Sequence, residues 1–166
     1  MKEHYGLEIP ISMILKITED HAKKINEKKT SNVMEDAKCL IIEMDGGVVP
    51  IVEVDDKIKD IDLRKTRKVI WKEAKLCFAR VNKRIDRIYA AVIGSPKEAG
   101  EKLYECAKRA GLMEKTYIHA LADGAQWIVD QIENQFGSQA NFLIDFFHMS
   151  EYLNEASQYC SVLNPK

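Results

Sequence analysis

Residues 116–137 read TYIHALADGAQWIVDQIENQFG, and this stretch decides the fold. Its first seven residues form a short, mostly apolar run that is typical of a strand. Asp123 and Gly124 follow this run directly. Apolar residues then recur at helical spacing, at Ala125, Ile128, Val129, Ile132 and Phe136. The stretch therefore predicts one strand followed at once by one helix, which ends at Gly137.

The segments on either side of this unit extend the same alternation. They predict a helix at 95–111, a strand at 140–148 and a final helix at 149–159. In the first helix, Ser95 and Glu98 make a capping box, and Pro96 suits the first helical position. Together these segments predict the order helix, strand, helix, strand, helix.

Upstream of these segments the sequence favours strands. The expected strands are centred on 40–42, on VIWKEAKLCFARV at 69–81 and on RIYAAVIG at 87–94. Asp45-Gly46-Gly47 is a sequence typical of a tight turn, so we expect the chain to fold back there into a second extended run. Pro50 cannot donate to a strand ladder, so it should keep that run at an edge of the sheet.

Three strands joined by short links should form an antiparallel meander, and strands separated by helices should be added in parallel by right-handed crossovers. We therefore predict an α/β fold, a ribonuclease H-like mixed sheet with helices on both faces. Helical spacing after Pro10 predicts a short N-terminal helical segment. The expected domains are that segment at 1–36 and a ribonuclease H-like core at 37–166.

The bulk composition describes an ordinary soluble protein. The net charge of −1 gives no global signature of a nucleic-acid binder, so charge has to be examined locally. The four cysteines are scattered without a CxxC pair, which argues against a zinc ribbon or a disulfide framework. No apolar run approaches the roughly 18 residues that span a bilayer, and no signal peptide begins the chain. We expect a cytoplasmic protein with no membrane partner.

Three aspartates occupy informative positions in the predicted fold. Asp45 ends the first strand, Asp123 ends the fourth, and Asp145 lies inside the fifth. Strands one and four should be neighbours, so Asp45 and Asp123 can converge and would repel each other unless a divalent cation neutralises them. Oxygen ligands on strands suit Mg²⁺ or Mn²⁺, and two such ions support phosphoryl transfer. Gly46 and Gly124 would leave room for a phosphate backbone.

Each acid also has a structural explanation. Asp123 could be the N-cap of the following helix, and Asp45 before two glycines is typical of a hairpin turn. Asp145 within an apolar strand needs a polar partner. His148 could supply that partner, and a structural pair and a metal role both remain open.

Basic and aromatic residues suggest contacts with nucleic acid. A basic run precedes and enters the second long strand, with Arg64, Lys65, Arg67, Lys68 and Lys72. Further basic residues at 83–87 could join it as one edge for a phosphate backbone, although a solvated loop is equally typical. Trp71 and Trp127 could stack on a base, but their periodic segments favour the core. We also expect His119 to be a satisfied core histidine and Glu73 to lie near the site.

Four motifs of this sequence, taken together, resemble those of a known family. The matching motifs are DGG (45–47), RKTRKVIWKEAKLCFA (64–79), ADGAQWI (122–128) and LIDFFHMSEYL (143–153). Together they look like transposases of bacterial insertion sequences of the Kra type, which belong to the DDE class. The N-terminal helical segment is also similar, so the resemblance covers nearly the whole chain.

The resemblance implies a Mg²⁺-dependent ribonuclease H-like core with Asp45 and Asp123 as the two catalytic, metal-binding aspartates. Asp145 and His148 match a motif that supports the core. The family's third acid lies on a helix after an inserted segment, so a chain ending at Lys166 is expected to be a truncated member. Glu151 lies where the simplest ribonuclease H-like proteins carry an acid, but we do not expect it to be the equivalent.

The implied function is DNA strand cleavage and strand transfer, with transposon ends and target DNA as partners and a homo-oligomer as the expected assembly. The alternative is a non-catalytic remnant that binds nucleic acid or oligomerises. Such a remnant would bind DNA in a salt-dependent way, without cleavage and without any need for Asp45 or Asp123.

Overall fold

The computed structural model describes residues 9–27, 36–54 and 62–163, and within these ranges the side chains of residues 26, 63, 64 and 161–163 are not described. The chain divides into two compact units, Met1–Asn32 and Val33–Lys166. The first unit contains helix α1 (Ile11–Glu27), which confirms the predicted N-terminal helix. All described side chains of α1 are exposed.

Among its described residues, the second unit contains a five-stranded sheet and three helices. Its strands are β1 (Cys39–Glu53), β2 (Lys68–Val81), β3 (Ile88–Val92), β4 (Tyr117–Ala122) and β5 (Ala140–Ile144). Its helices are α2 (Pro96–Arg109), α3 (Gln126–Phe136) and α4 (Phe146–Leu163), with short 3₁₀ turns at Leu63–Thr66 and Gly137–Gln139. None of the described helices combines the length and the apolar character needed to cross a membrane.

The sheet is mixed, in the order β3-β2-β1-β4-β5. β2 runs antiparallel to both of its neighbours, whereas β4 is parallel to β1 and to β5. Glu43 on β1 lies opposite Phe78 on β2 and opposite Leu121 on β4. The prediction of an α/β fold, with a meander followed by parallel strands added through helices, is confirmed.

The predicted reversal at Asp45-Gly46-Gly47 is wrong, because β1 passes through these residues without interruption. Asp45 pairs with Leu76 and Gly47 with Ala74, within a ladder that continues as far as Glu53. The continuous ladder with the long strand β2 outweighs the local turn preference. β4 pairs with β1 only as far as Glu43, so Pro50 lies where β1 has a single neighbour, as expected of an edge position.

Both crossover helices pack on one face of the sheet, so the prediction of helices on both faces is wrong. The chain crosses from β3 to β4 and then from β4 to β5, in the same direction along the sheet. Two crossovers of one hand in one direction place their helices on the same side. Side chains from β1, α2, β4 and α3 form the core there, among them Leu40, Ile42, Leu103, Ile118 and Ile128.

The start of α2 is fixed as the sequence predicts. The Glu98 backbone N–H donates to Ser95 Oγ at 3.3 Å, and the Ser95 N–H donates to Glu98 Oε2 at 2.6 Å. Backbone donors that a helix start leaves unpaired are thereby satisfied. The Ser95 N–H and, next to it, the Ser95 hydroxyl both donate to the Glu98 carboxylate and hold its pKa below its ordinary value.

The opposite surface of the sheet is here named the open face. It is defined by every second residue of the strands: Ile41, Glu43 and Asp45 of β1, Leu76, Phe78 and Arg80 of β2, Tyr89 of β3, and His119 and Leu121 of β4. Within the described part of the second unit, no helix packs over this face, and the described side chains of α4 are nearly all exposed.

Candidate active site

Three aspartates meet at the level where β4 and β5 end. Glu43 pairs with Leu121, so Asp45 and Asp123, two residues further along each strand, reach the same level of the sheet. Asp145 directly follows β5, and its backbone N–H donates to the Ala122 carbonyl at 2.9 Å. The sheet therefore brings together acids that are far apart in the sequence, as predicted.

These acids line one pocket with a volume of about 330 Å³. Glu43, Asp45, Asp123, Asp145 and His148 form its polar part, and Leu76, Phe78, Tyr89 and Leu121 contribute to its apolar wall. A pocket that combines a few convergent polar groups with apolar walls is the usual form of a ligand site.

Asp45 is exposed, and its Oδ1 accepts a hydrogen bond from the Gly46 N–H at 2.7 Å. Gly46 itself faces the other side of the sheet. A Cβ there would lie 2.6 Å from Glu73 Oε1 and 3.3 Å from Trp127. Gly46 therefore lies against Glu73 and Trp127 on the helix-covered face, not on the side of the pocket, and the prediction that it clears space for a phosphate backbone is wrong.

Asp123 is not the N-cap of α3, so that structural alternative is wrong. The cap position is Ala125, which supplies no side-chain bond, and its backbone N–H donates to Asp123 Oδ1 at 2.9 Å. Gly124 adopts a φ of 94°, in the left-handed region that favours glycine. This turn leaves the Asp123 carboxylate on the wall of the pocket.

Asp145 lies after β5 rather than inside it, so the predicted strand through residue 148 is too long. Its Oδ1 accepts hydrogen bonds from the backbone N–H groups of Phe147 at 2.8 Å and His148 at 3.3 Å. These bonds cap the start of α4, and the bond from Phe147 contributes most to lowering the pKa of Asp145. His148 Nδ1 lies 3.5 Å from the same oxygen, which confirms the structural pair.

Sequence reasoning missed Glu43. It precedes Asp45 by two residues, so the two-residue period of a strand places both acids on the open face. Burial raises the pKa of Glu43, Arg80 and Arg87 oppose that effect, and the charge of Asp145 adds to it. A carboxyl group in this setting favours a proton or another cation. Strand alternation was the signal that could have identified it.

Glu151 lies on α4 with an exposed side chain and is not among the residues that line the pocket. Among the described residues, no three His, Cys, Asp or Glu side chains form a group that could hold a metal ion. The pocket therefore offers Asp45 and Asp123 with Glu43 beside them, rather than a completed triad.

The predicted basic residues lie away from this pocket. Lys65, Arg67, Lys68 and Lys72 are exposed, while the Arg64 side chain lies outside the described residues. Strand β2 has 14 residues from Lys68 to Val81, so at ~3.3 Å per residue this run lies about 40 Å from the basic turn at 83–87. The basic run and the basic turn lie towards opposite ends of the long strand β2, so they do not form one edge.

Four further predictions concern side chains near the sheet. Trp127 packs partly buried against the core, as expected, but Trp71 is 67% exposed because it lies on the extension of β1 and β2 that no described helix covers. Glu73 lies on the helix-covered face, paired with Lys75, and is not among the residues that line the pocket. His119 Nδ1 is buried and has no hydrogen-bond partner among the described residues, so the prediction of a satisfied histidine is wrong at this nitrogen.

No family model matches this chain, and no curated protein sequence matches it significantly.

Proposed function

We propose that this chain carries the ribonuclease H-like core of a DDE-class DNA transposase of the Kra type. The observation that carries the proposal is that Asp45 and Asp123, each in a DG motif, line one pocket on neighbouring parallel strands. The sheet order, with an antiparallel β2, is that of ribonuclease H-like proteins and supports the same conclusion. The reaction is DNA strand cleavage and strand transfer.

The donors present fit Mg²⁺ or Mn²⁺. Mg²⁺ is commonly held by one or two carboxylates, with water and substrate phosphates completing its shell. Asp45 and Asp123 each use Oδ1 for one backbone N–H, so each can direct its other oxygen to an ion. When bound, the ion would neutralise charge on the phosphodiester and activate the attacking hydroxyl.

The other residues of the pocket have positioning parts in this proposal. Asp145 holds the start of α4 through two backbone N–H groups and orients His148 at the edge of the pocket. Glu43, with its raised pKa, adds a carboxyl group that ionises more readily once a cation lies nearby.

The test is nicking of a supercoiled plasmid by the purified chain with Mn²⁺. We expect only weak nicking by the wild type, because the pocket offers Asp45 and Asp123 without a completed triad, and its loss in Asp45→Asn and Asp123→Asn. Asp130→Asn is the matched control, because Asp130 is exposed on α3, bonds only Gln126 among the described contacts and lies outside the pocket. Equal nicking by all four proteins would reject the assignment, since it would show a contaminant or another site.

A second candidate is a non-catalytic module that binds nucleic acid. The finding that favours it is that no three-acid metal group exists among the described residues. It predicts salt-dependent DNA binding that survives Asp45→Asn and Asp123→Asn, and no nicking with Mg²⁺ or Mn²⁺.

A further inference from the structure

Two aromatic rings lie side by side on the open face. Phe78 of β2 and Tyr89 of β3 are directly paired across the strands, with ring centroids 5.6 Å apart and ring planes at 55°. Tyr89 is 57% exposed. Both rings also line the pocket of Asp45 and Asp123, so a molecule that contacts them would reach the acids directly.

Positive charge surrounds this pair. The Arg87 guanidinium lies 5.9 Å from the Phe78 ring centre, and its Nη1 lies 3.4 Å from the Tyr89 hydroxyl. Arg80 lies on the same face and donates to the Arg84 carbonyl at 3.3 Å, which holds the turn after β2 beside the rings. Lys83 and Arg84 are exposed in that turn.

Acids and cations occupy different parts of this surface. The cations Arg80, Lys83, Arg84 and Arg87 lie in and next to the turn after β2, where Asp86 is also found, whereas Glu43, Asp45, Asp123 and Asp145 line the pocket. An exposed ring and a half-buried ring flanked by cations complement a chain of stacked rings and phosphates, which is the chemistry of a single-stranded nucleic acid.

We infer that Phe78 and Tyr89 form a stacking platform for unpaired bases of single-stranded DNA, with Arg80 and Arg87 binding its phosphates. The choice of DNA rests on the proposed function, but the platform needs no metal. Duplex DNA keeps its bases stacked on one another, so it cannot use these rings. The platform would lead an unpaired strand end towards Asp45 and Asp123.

Binding of a fluorescently labelled single-stranded 15-mer, measured by anisotropy in EDTA, tests this inference. We expect Tyr89→Ala to weaken binding about tenfold, within the range for loss of one stacked base, and Tyr89→Phe to leave it nearly unchanged. Arg87→Ala should weaken binding and flatten its salt dependence. The matched control is Trp71→Ala, because Trp71 is an exposed aromatic residue beside basic residues at the far end of β2. It should change binding less than twofold.

Three outcomes would overturn the inference. They are equal binding of the 15-mer and of a duplex of the same length, equal losses in Tyr89→Ala and Trp71→Ala, and no binding by the wild type. Melting curves confirm that each variant folds. The proposed function is tested separately, because it depends on nicking with Mn²⁺, whereas the platform is tested by binding in EDTA. If Tyr89→Ala nicks DNA and binds the 15-mer as the wild type does, the platform is rejected and the proposed function is not.

Discussion

The helix-covered face and the open face of the sheet both carry apolar and charged side chains, which are enclosed on the first face and accessible on the second. On the covered face, α2 and α3 enclose an apolar core, and its buried lysine, Lys75, contacts Glu73, the Gly94 carbonyl and the Trp127 ring. On the open face, carboxylates, arginines and aromatic rings remain accessible beside a pocket. Two crossovers in one direction create this difference, which separates the residues that stabilise the fold from those available for chemistry.

The largest expected effect contrasts two leucines. Leu103 on α2 is fully buried at 0% exposure, whereas Leu76 on the open face is 56% exposed. Leu103→Ala should lower the free energy of unfolding by about 3 kcal/mol, because it leaves a cavity, and Leu76→Ala by less than about 1 kcal/mol. Urea denaturation of both variants measures the difference. Similar losses would mean that the open face is covered in solution.

A second contrast uses two lysines of β2, each paired with a glutamate. Lys75 is buried and bonds Glu73 and the Gly94 carbonyl, whereas Lys72 forms a half-exposed pair with Glu53 at 3.5 Å. Lys75→Met should reduce stability by about 2 kcal/mol, since the part-buried Gly94 carbonyl and the Glu73 carboxylate lose their donor. Lys72→Met, the control, should reduce it by less than about 0.5 kcal/mol. Urea denaturation checks both values, and a larger effect at Lys72 would contradict the assignment of the faces.

The smallest effect concerns pH and the cap of α4. The backbone N–H groups that bind Asp145 lower its pKa from the ordinary 3.8, so its ionised form stabilises the folded state. That stabilisation is present above pH 3.8 and disappears as the pH falls through the lower folded value. Asp145→Asn keeps a capping oxygen but loses this pH dependence.

Melting temperatures of the wild type and Asp145→Asn, recorded in EDTA from pH 7 downwards, test this prediction. The wild type should melt higher near neutrality, and the difference should shrink below pH 3.8. Asp130→Asn should show no such trend. A constant difference across the range would mean that the charge of Asp145 contributes nothing to folding.

Much of the fold could be predicted because local signals agreed with the final structure. The capping box at Ser95 and Glu98, the glycine after α3 and the apolar runs of β2 and β4 each specify an element within their own residues. Crossover rules then supplied the mixed sheet. The pairing of β1 with β2 has no local signal in the sequence. Asp45-Gly46-Gly47 therefore predicts a turn, whereas the ladder with β2 holds the chain extended there.

The residues that line the pocket can be predicted only in part for the same reason. Asp45 and Asp123 were identified from strand ends and from the resemblance, but the cap function of Asp145 depends on where α4 begins. Glu43 was overlooked because a lone glutamate in a strand carries no motif. The aromatic pair Phe78 and Tyr89 depends on the register between β2 and β3, which the sequence does not state.

The central claim is that Asp45 and Asp123 together hold a divalent cation on the open face. Calorimetric titration with Mn²⁺ of the wild type, Asp45→Asn, Asp123→Asn and the double variant tests it most directly. We predict binding by the wild type, a large loss in each single variant and little further loss in the double variant, because both residues serve one site. Unchanged binding in both single variants, or no binding by the wild type, would contradict the claim.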